Sequence, residues 1–219
     1  MQSQLCTITH QQQPYPDSLQ EQEERVNQIV AGRAPSTLIL TEHPPTYTIG
    51  TSGSAKDILR QQIDGDEIAI FSTGRGGEVT YHGPGQLLCY LIIDLRRERD
   101  LHRHIWRLEE MVIRTLADFT IRAERDRRGI GVWVDSLKIA AAGVRCRKWV
   151  TWHGIALNIN PNLRHFSGIV PCGMRDTPVT SMHHHLRNRA CHLATRVEVE
   201  QRIQYHANQL FIDLQAEST

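Results

Sequence analysis

Features that direct a chain into or across a membrane are missing from this sequence. The N-terminus, MQSQLCTITHQQQ, is polar and lacks the apolar core of a signal peptide. The longest apolar run, Leu87 to Ile93, is too short to span a bilayer. Both absences favour a soluble protein with no membrane partner, and we expect it to be cytoplasmic.

The cysteine and charge content argue against disulfide-rich, zinc-binding and nucleic-acid-binding proteins. The five cysteines are odd in number and lack framework spacing, which fits reduced thiols. No Cys-x-x-Cys pair is present, which argues against a structural zinc site of that type. The formal net charge is only +1, so no overall field favours nucleic acid. Basic residues nevertheless cluster in three places: Arg96, Arg97 and Arg99; Arg122, Arg125, Arg127 and Arg128; and Arg145, Arg147 and Lys148. Each cluster is either solvated surface or a docking face for an acidic partner.

The order of predicted elements indicates the fold class. Apolar spacing predicts a helix over residues 18–31 with Ser18 as its N-cap, a helix over 101–119, and a last helix opened by a Thr195–Glu198 capping box. Short apolar runs predict strands at 37–41, 68–72, 79–81, 87–95, 130–134, 137–144 and 150–159. Tight turns between consecutive strands favour antiparallel pairing. We therefore expect an α+β protein, a single domain over residues 1–219, with a mixed, largely antiparallel sheet covered by helices.

A glycine-rich segment at residues 74–86 is the densest candidate for a binding loop. Its five glycines and one proline exclude an ordinary helix, and they let the backbone approach a ligand closely. A pair of surface turns would explain the glycines but not the polar side chains of Arg75, Tyr81, His82 and Gln86 among them. The segment matches neither a phosphate-binding P-loop nor a dinucleotide-binding G-x-G-x-x-G.

Lys138 stands among apolar and small residues in the segment LKIAAAG. A lysine whose ammonium is desolvated has a lowered pKa and can exchange protons near neutral pH. The simpler interpretation, and the favoured one on this segment alone, is that Lys138 reaches the surface from a strand edge.

Cys172 lies between a proline and a glycine, in a turn that can present a thiol to a substrate. A lone cysteine is more often structural, and a catalytic one needs a basic neighbour or hydrogen-bond donors. One alternative is a Cys–His hydrolase that uses His82 or His153 as its base. A metal site at His183–His185, Cys191 and His192 is disfavoured because three adjacent histidines cannot all face one point.

Taken together, the motifs resemble the lipoyl(octanoyl) transferase family. The matching segments are EHPPTYTIG at 42–50, RGGEVTYHGPGQL at 75–87, GVWV at 131–134, LKIAAAGVR at 137–145, HGIALNIN at 153–160 and PCGM at 171–174. The resemblance implies the fold of the biotin and lipoate protein ligase superfamily. It also implies transfer of octanoyl from octanoyl-acyl carrier protein to a specific lysine of lipoyl domains, those of 2-oxoacid dehydrogenase complexes or of the glycine cleavage H protein. This transfer is the first step of endogenous protein lipoylation.

The same resemblance implies roles for individual residues. Cys172 maps onto the cysteine that carries the acyl thioester, and Lys138 onto its partner. The acyl-binding positions map onto Arg75, Gly76, Gly77, Glu78, Val79, Thr80, Tyr81, His82, Ala141, Ala142, Gly143, Gly154, Ile155 and Ala156. No cofactor or metal is expected, because the thioester donor is already activated. The alternatives are an ATP-dependent lipoate or biotin protein ligase of the same superfamily and a catalytically silent acyl-binding protein.

Two finer expectations follow from this mapping. Side chains of a strand alternate between faces, so Ala140 and Ala142 should share a face with Lys138 and line the acyl groove. The cluster of Arg145, Arg147 and Lys148 follows the lysine strand directly, which makes it the leading candidate for docking the acidic carrier protein.

Overall fold

A computed structural model describes residues 4–170, 178–188 and 192–214. The α-helices are α1 (Tyr15–Val30), α2 (Leu101–Asp118), α3 (Met182–Asn188) and α4 (Arg196–Phe211). The strands are β1 (Cys6–Thr9), β2 (Thr37–Thr41), β3 (Thr46–Ile49), β4 (Gln62–Ile63), β5 (Asp66–Glu67), β6 (Ala69–Ser72), β7 (Val79–His82), β8 (Gln86–Ile92), β9 (Glu124–Asp126), β10 (Gly129–Val134), β11 (Leu137–Arg147) and β12 (Val150–Asn158). Across these residues no helix is both long and apolar enough to cross a membrane.

Two main sheets organise these strands. The larger has seven strands in the order β1-β2-β8-β12-β11-β10-β9, and the smaller has the order β6-β3-β7. Pairing in the large sheet is antiparallel except between β1 and β2, and β3 and β6 are also parallel. The predicted α+β class with a mixed, largely antiparallel sheet is confirmed.

The central strands separate two cores because they are buried on both faces. Every residue of β8 and β12 is buried. Leu87, Cys89 and Ile155 face α2 and α4 in the main core, whereas Leu88 and Ala156 face α1. A nearly continuous apolar run is the sequence pattern of such a strand. The face toward α1 also lies under the small sheet, and the groove described below opens there.

A β-bulge changes the register of β11. Val132 pairs with Ala140 but its neighbour Trp133 pairs with Lys138, so Ile139 is an extra residue on that strand. As a result Ile139 and Ala140 both belong to the main core, and Ala142 packs against it. The expectation that Ala140 and Ala142 share a face with Lys138 is therefore wrong. Beyond the bulge, Ala141 and Gly143 pair with Ala156 and Gly154 on the α1 face.

The helix ends follow their caps. α4 begins at the predicted Thr195–Glu198 capping box, with both reciprocal hydrogen bonds formed. α1 begins at Tyr15, three residues before the predicted start, with Pro14 at the N-cap. The expected N-cap Ser18 is instead a buried residue inside the helix, close to Gln22.

His104 of α2 is a core residue that lowers the stability of the fold. It is fully buried against Phe211, and neither ring nitrogen has a hydrogen-bond partner among the described residues. Burial, aided by Arg107, lowers its pKa to about 3. Between that value and the ordinary 6.5, the unfolded chain binds the proton and the folded chain does not, so stability falls as pH drops below about 6.5.

We expect His104→Leu to raise the free energy of unfolding at pH 7 by about 1–3 kcal/mol, because it removes two unsatisfied polar atoms from the core. The difference in stability should be larger at pH 5, where the buried, neutral His104 destabilises the parent protein further. Urea titrations of both proteins at the two pH values measure this. Equal or lower stability of the variant at both values would contradict it.

Candidate active site

An elongated groove lies between the large sheet and the small one. It encloses about 730 Å³ counted out to its solvent opening, a size typical of small-ligand sites. Its lining comprises Tyr15, Arg75, Gly77, Glu78, Val79, Thr80, His82, Leu88, Tyr90, Gly129, Ile130, Lys138, Ala141, Ala142, Gly143, His153, Gly154, Ile155 and Ala156. Residues of α1, of the glycine-rich loop with β7, and of strands β8, β10, β11 and β12 therefore meet at one site.

The floor of the groove is made of small residues on paired strands. Ala141 lies opposite Ala156, and Gly143 lies opposite Gly154. Without larger side chains, a narrow channel stays open above the sheet. Space is tight at Gly143, where a Cβ would stand 2.6 Å from the carbonyl oxygen of Gly76. The sequence of small residues thus produces a trough suited to a thin chain.

The glycine-rich loop forms the roof, and the Arg75 side chain holds it in place. Its guanidinium donates to the carbonyl oxygen of Thr48 at 2.7 Å, to the Thr48 hydroxyl at 2.8 Å and to the carbonyl oxygen of Glu78 at 2.8 Å. The backbone N–H of Gly76 donates to the carbonyl of Val144 at 2.9 Å, which fastens the loop to β11. Arg75 therefore holds the glycine-rich loop in place through its hydrogen bonds. The sequence motif did not indicate this structural role.

His82 is locked in a buried hydrogen-bond chain. Its Nδ1 lies 2.7 Å from Gln86 Oε1 and its Nε2 lies 3.2 Å from the Thr48 hydroxyl. An amide oxygen only accepts, so Nδ1 carries the proton and Nε2 accepts from Thr48, whose oxygen accepts from Arg75. Burial, with neighbouring His43 and Arg75, holds the pKa of His82 well below its usual range. Both nitrogens are engaged and the ring is neutral, which disfavours His82 as the base of a hydrolase.

Lys138 lies in the groove and does not reach the surface. The side chain is buried, with only 7% of the residue exposed, so the surface-lysine interpretation is wrong. Its Nζ stands 5.4 Å from the ring centre of Trp133, within range of a cation–π contact. The backbone is fixed by hydrogen bonds of 2.9 Å to Pro178 and Thr180. These contacts hold one ammonium group at the edge of an otherwise largely apolar trough.

Two residues that support Lys138 were not singled out from the sequence, although both stand in the GVWV segment. Trp133 pairs with Lys138 across β10 and β11 and supplies the aromatic face. Gly131 has a φ of 136°, and a Cβ there would lie 2.7 Å from the Lys138 Cε and 2.4 Å from the carbonyl oxygen of Ala140. Only glycine leaves room for the lysine side chain to cross the strand at this point.

Comparison with known proteins decides the family. The sequence profile of the lipoyl protein ligase A/B catalytic domain matches residues 14–208. The chain belongs to this family. An octanoyltransferase of Paramagnetospirillum magneticum is 49% identical over 174 residues, which cover 77% of this chain and 80% of that protein. An octanoyltransferase of Cereibacter sphaeroides is 45% identical over 183 residues, covering 77% and 82%. With these relatives, the chain is an acyltransferase of the lipoyl protein ligase A/B family.

Solved structures of lipoate and biotin protein ligases share the fold. A bipartite lipoate protein ligase from Thermoplasma acidophilum aligns with a TM-score of 0.70 at 15% identity, covering 95% of this chain and 84% of that one. A lipoate-protein ligase A bound with ATP aligns at 0.71 and 14%, covering 95% and 86%. A biotin protein ligase from Aquifex aeolicus aligns at 0.59 and 14%, covering 95% and 72%. The implied relation to the biotin and lipoate protein ligases is therefore confirmed at the level of fold.

Some of the candidate residues lie away from the groove of this family member. Tyr81 faces the core of the small sheet, where its hydroxyl is 2.7 Å from His165 Nδ1. Gly76 acts through its backbone contact with β11. The remaining acyl-binding candidates line the groove, although Ile155 and Ala142 turn their side chains toward the main core. Cys172 and Cys191 lie outside the described residues, in the intervals 171–177 and 189–191.

Histidines of the segment His183–His185 make local hydrogen bonds. His185 Nε2 is 3.0 Å from the Thr180 hydroxyl, and His183 Nε2 is 2.9 Å from the carbonyl oxygen of Ala194. Within the described ranges, no group of three or more histidine, cysteine or carboxylate side chains is arranged to hold a metal ion.

The basic clusters are largely engaged in local contacts. Arg145 lies over the ring of Trp152 at 5.1 Å, and Arg147 donates to the side chain of Asn27. Arg125 bridges Glu109 and Glu110 of α2. Arg145 lies seven residues beyond Lys138 on β11, which puts this cluster at the far end of the groove from the lysine.

Proposed function

We propose that this acyltransferase moves an octanoyl group from octanoyl-acyl carrier protein to a lysine of a lipoyl domain, through a thioester on Cys172. The supporting observation is a narrow trough of small residues with a buried lysine at one edge, in a chain whose relatives are named octanoyltransferases. The bipartite ligase of the same fold was described together with its E2 lipoyl domain, which supports a lipoyl domain as the acceptor.

The proposed chemistry has two acyl transfers. The Cys172 thiolate attacks the carbonyl carbon of the donor thioester, a new C–S bond forms, and the old C–S bond breaks to release the carrier thiol. The acceptor amine then attacks the enzyme thioester, an amide C–N bond forms, and Cys172 leaves as thiolate. One proton must reach the departing carrier thiol and one must leave the attacking amine.

Lys138 is the proposed carrier of these protons. An ammonium beside the reacting thiol favours its thiolate form and can donate a proton to the leaving thiol. Pro178, six residues after Cys172, accepts a hydrogen bond from the backbone N–H of Lys138. This bond holds Pro178 beside the lysine strand, and the short distance in sequence from Pro178 to Cys172 supports the proposed pairing of the two residues.

Carrier docking is proposed near the Lys138 end of the groove. The thioester carbonyl must reach Lys138 while the acyl tail fills the trough, so the carrier should meet the surface next to Ile130. That side chain is 54% exposed, and the exposed Arg127 and Arg128 precede it. This geometry favours the second basic cluster over Arg145, Arg147 and Lys148 for an acidic carrier.

The test is transfer without nucleotide. Purified protein, octanoyl-acyl carrier protein and a lipoyl domain should yield an octanoylated lipoyl domain, read by mass spectrometry, with no ATP present. The donor thioester supplies the free energy, so added ATP should leave the rate unchanged. Transfer from free octanoate that strictly requires ATP would identify a ligase instead. Tight octanoyl binding with no product would identify an acyl-binding protein.

A further inference from the structure

His153 has an unusual backbone conformation inside a buried strand. Its φ is 61°, in the left-handed region that is uncommon for non-glycine residues and unusual within a strand. Strict alternation along β12 would direct its side chain, like that of Ile155, toward the main core. The side chain instead lines the groove and stacks with Trp152, whose ring lies on the α1 face. The left-handed residue therefore turns an imidazole into the groove.

Several contacts hold this imidazole in place. The backbone N–H of His153 donates to the side-chain oxygen of Gln22, a buried residue of α1, at 3.0 Å. The ring stacks on Trp152 with centroids 6.0 Å apart and planes 24° apart, and Arg145 covers the indole from beyond. His153 is only 2% exposed. The ring is thus a fixed wall.

The imidazole also carries an unsatisfied atom. Nε2 is buried and has no hydrogen-bond partner in the part of the chain that the structure describes. Burial, with Arg75 and Arg145 nearby, lowers the pKa of His153 to about 3, so the ring is neutral at pH 7. Backbone strain of this kind typically costs about 1–3 kcal/mol and persists at functional sites.

The position of His153 along the groove suggests its role. His153 pairs with Val144, immediately beyond the Gly143–Gly154 pair. Val144 lies three residues past Ala141, so the trough between them is about 10 Å long at ~3.3 Å per residue. The Lys138 side chain crosses Gly131, which lies one residue before the Val132–Ala140 pair, so its end stands at about the level of Ala141. The distance of about 10 Å from there to Val144 is comparable to an extended eight-carbon chain lying on the small residues, with its carbonyl near the end of the Lys138 side chain.

We propose that the His153 imidazole closes the far end of the groove and sets the upper limit of acyl chain length. The proposal rests on the octanoyl transfer proposed above. A chain ending at Gly143–Gly154 stops in front of the ring. A longer chain must press methylene groups against a desolvated nitrogen or push aside a ring held by Trp152 and Gln22, and either is unfavourable.

The variant His153→Gly tests this directly, because glycine adopts a φ of 61° without strain and removes the ring. In the parent, kcat/KM should fall sharply from octanoyl to decanoyl and dodecanoyl carrier thioesters. In the variant, the decanoyl-to-octanoyl ratio should rise at least about tenfold, since two further methylenes gain a buried site. His153→Asn, which also tolerates this backbone, should give a smaller rise. His104→Ala removes another buried histidine outside the groove and should leave the ratio unchanged.

An unchanged ratio in folded His153→Gly would overturn the chain-length role, whereas a parent that transfers no acyl group would overturn the proposed function. A measurement without turnover gives a second decision. In the parent protein, the ring signals of His153 in NMR spectra should shift on adding octanamide and stay in place on adding butanamide, which is too short to reach the ring. Equal shifts with both amides, or none with either, would contradict the end-wall position.

Discussion

Replacing Lys138 with alanine should lower kcat/KM for octanoyl transfer by about 10²–10⁴-fold, the usual loss when a general acid–base group is removed. The ammonium lies at the edge of the groove, and Gly131 and Trp133 give it a single path there. The fold should survive, because alanine leaves the strand backbone and its bonds to Pro178 and Thr180 in place. Steady-state kinetics with octanoyl-acyl carrier protein, alongside circular dichroism, measure both expectations.

One further variant separates the charge of Lys138 from its proton transfer, and a second variant is a surface control. Lys138→Arg keeps a positive charge, but guanidinium does not give up its proton, so rescue should be poor. Lys56→Ala removes an exposed lysine and should leave the rate within about twofold, as for surface changes generally. Near-normal turnover in Lys138→Ala or Lys138→Arg would reject the proposed proton role.

Enlarging Ala141 to leucine should lower octanoyl transfer at least about 100-fold and should impair hexanoyl and decanoyl transfer as well, because Ala141 lies at the carbonyl end of the trough. Ala141 faces Ala156 across the floor of the trough, so an isobutyl group there occupies the path of the acyl chain. Open space above it in the free protein means that folding should be little affected. Comparing kcat/KM for hexanoyl, octanoyl and decanoyl donors in variant and parent measures the loss for each donor.

Ala142→Val is the matched control, since Ala142 packs against the main core on the other face of the same strand. It should cost about 1–3 kcal/mol of stability by overpacking and leave the ranking of the three donors as in the parent. The reverse result, with transfer lost in Ala142→Val and retained in Ala141→Leu, would support the regular alternation of β11 and reject the bulged register.

The main elements of the fold were predictable because their signals are local. Apolar spacing located α2, the capping box located the start of α4, and the continuous apolar run located β8. β1 and β3 were missed. Both are only four residues long, too short for alternation of polar and apolar side chains to be distinctive. Such short strands are fixed by pairing with distant partners more than by their own sequence.

The site was predictable in part for the same reason. Glycine-rich and small-residue segments mark places where a ligand or backbone comes close, and these segments do line one groove. The bulge at Ile139 could not be anticipated, because it arises from pairing with β10. Its effect is to exchange the alanines that face the trough with those that face the main core. The structural role of Arg75 depends on its contact with Thr48, and the left-handed conformation of His153 is accompanied by a contact with Gln22. Both partners are far away in sequence.

Covalent capture of the acyl group is the central claim, and intact mass tests it most directly. Protein incubated with octanoyl-acyl carrier protein, without a lipoyl domain, should gain the mass of one octanoyl group. Hydroxylamine should remove it, and adding a lipoyl domain should transfer it to the acceptor lysine. Cys172→Ala should show no adduct. An octanoyl adduct that persists unchanged in Cys172→Ala, or lipoyl-domain octanoylation at the parent rate by that variant, would contradict the thioester mechanism.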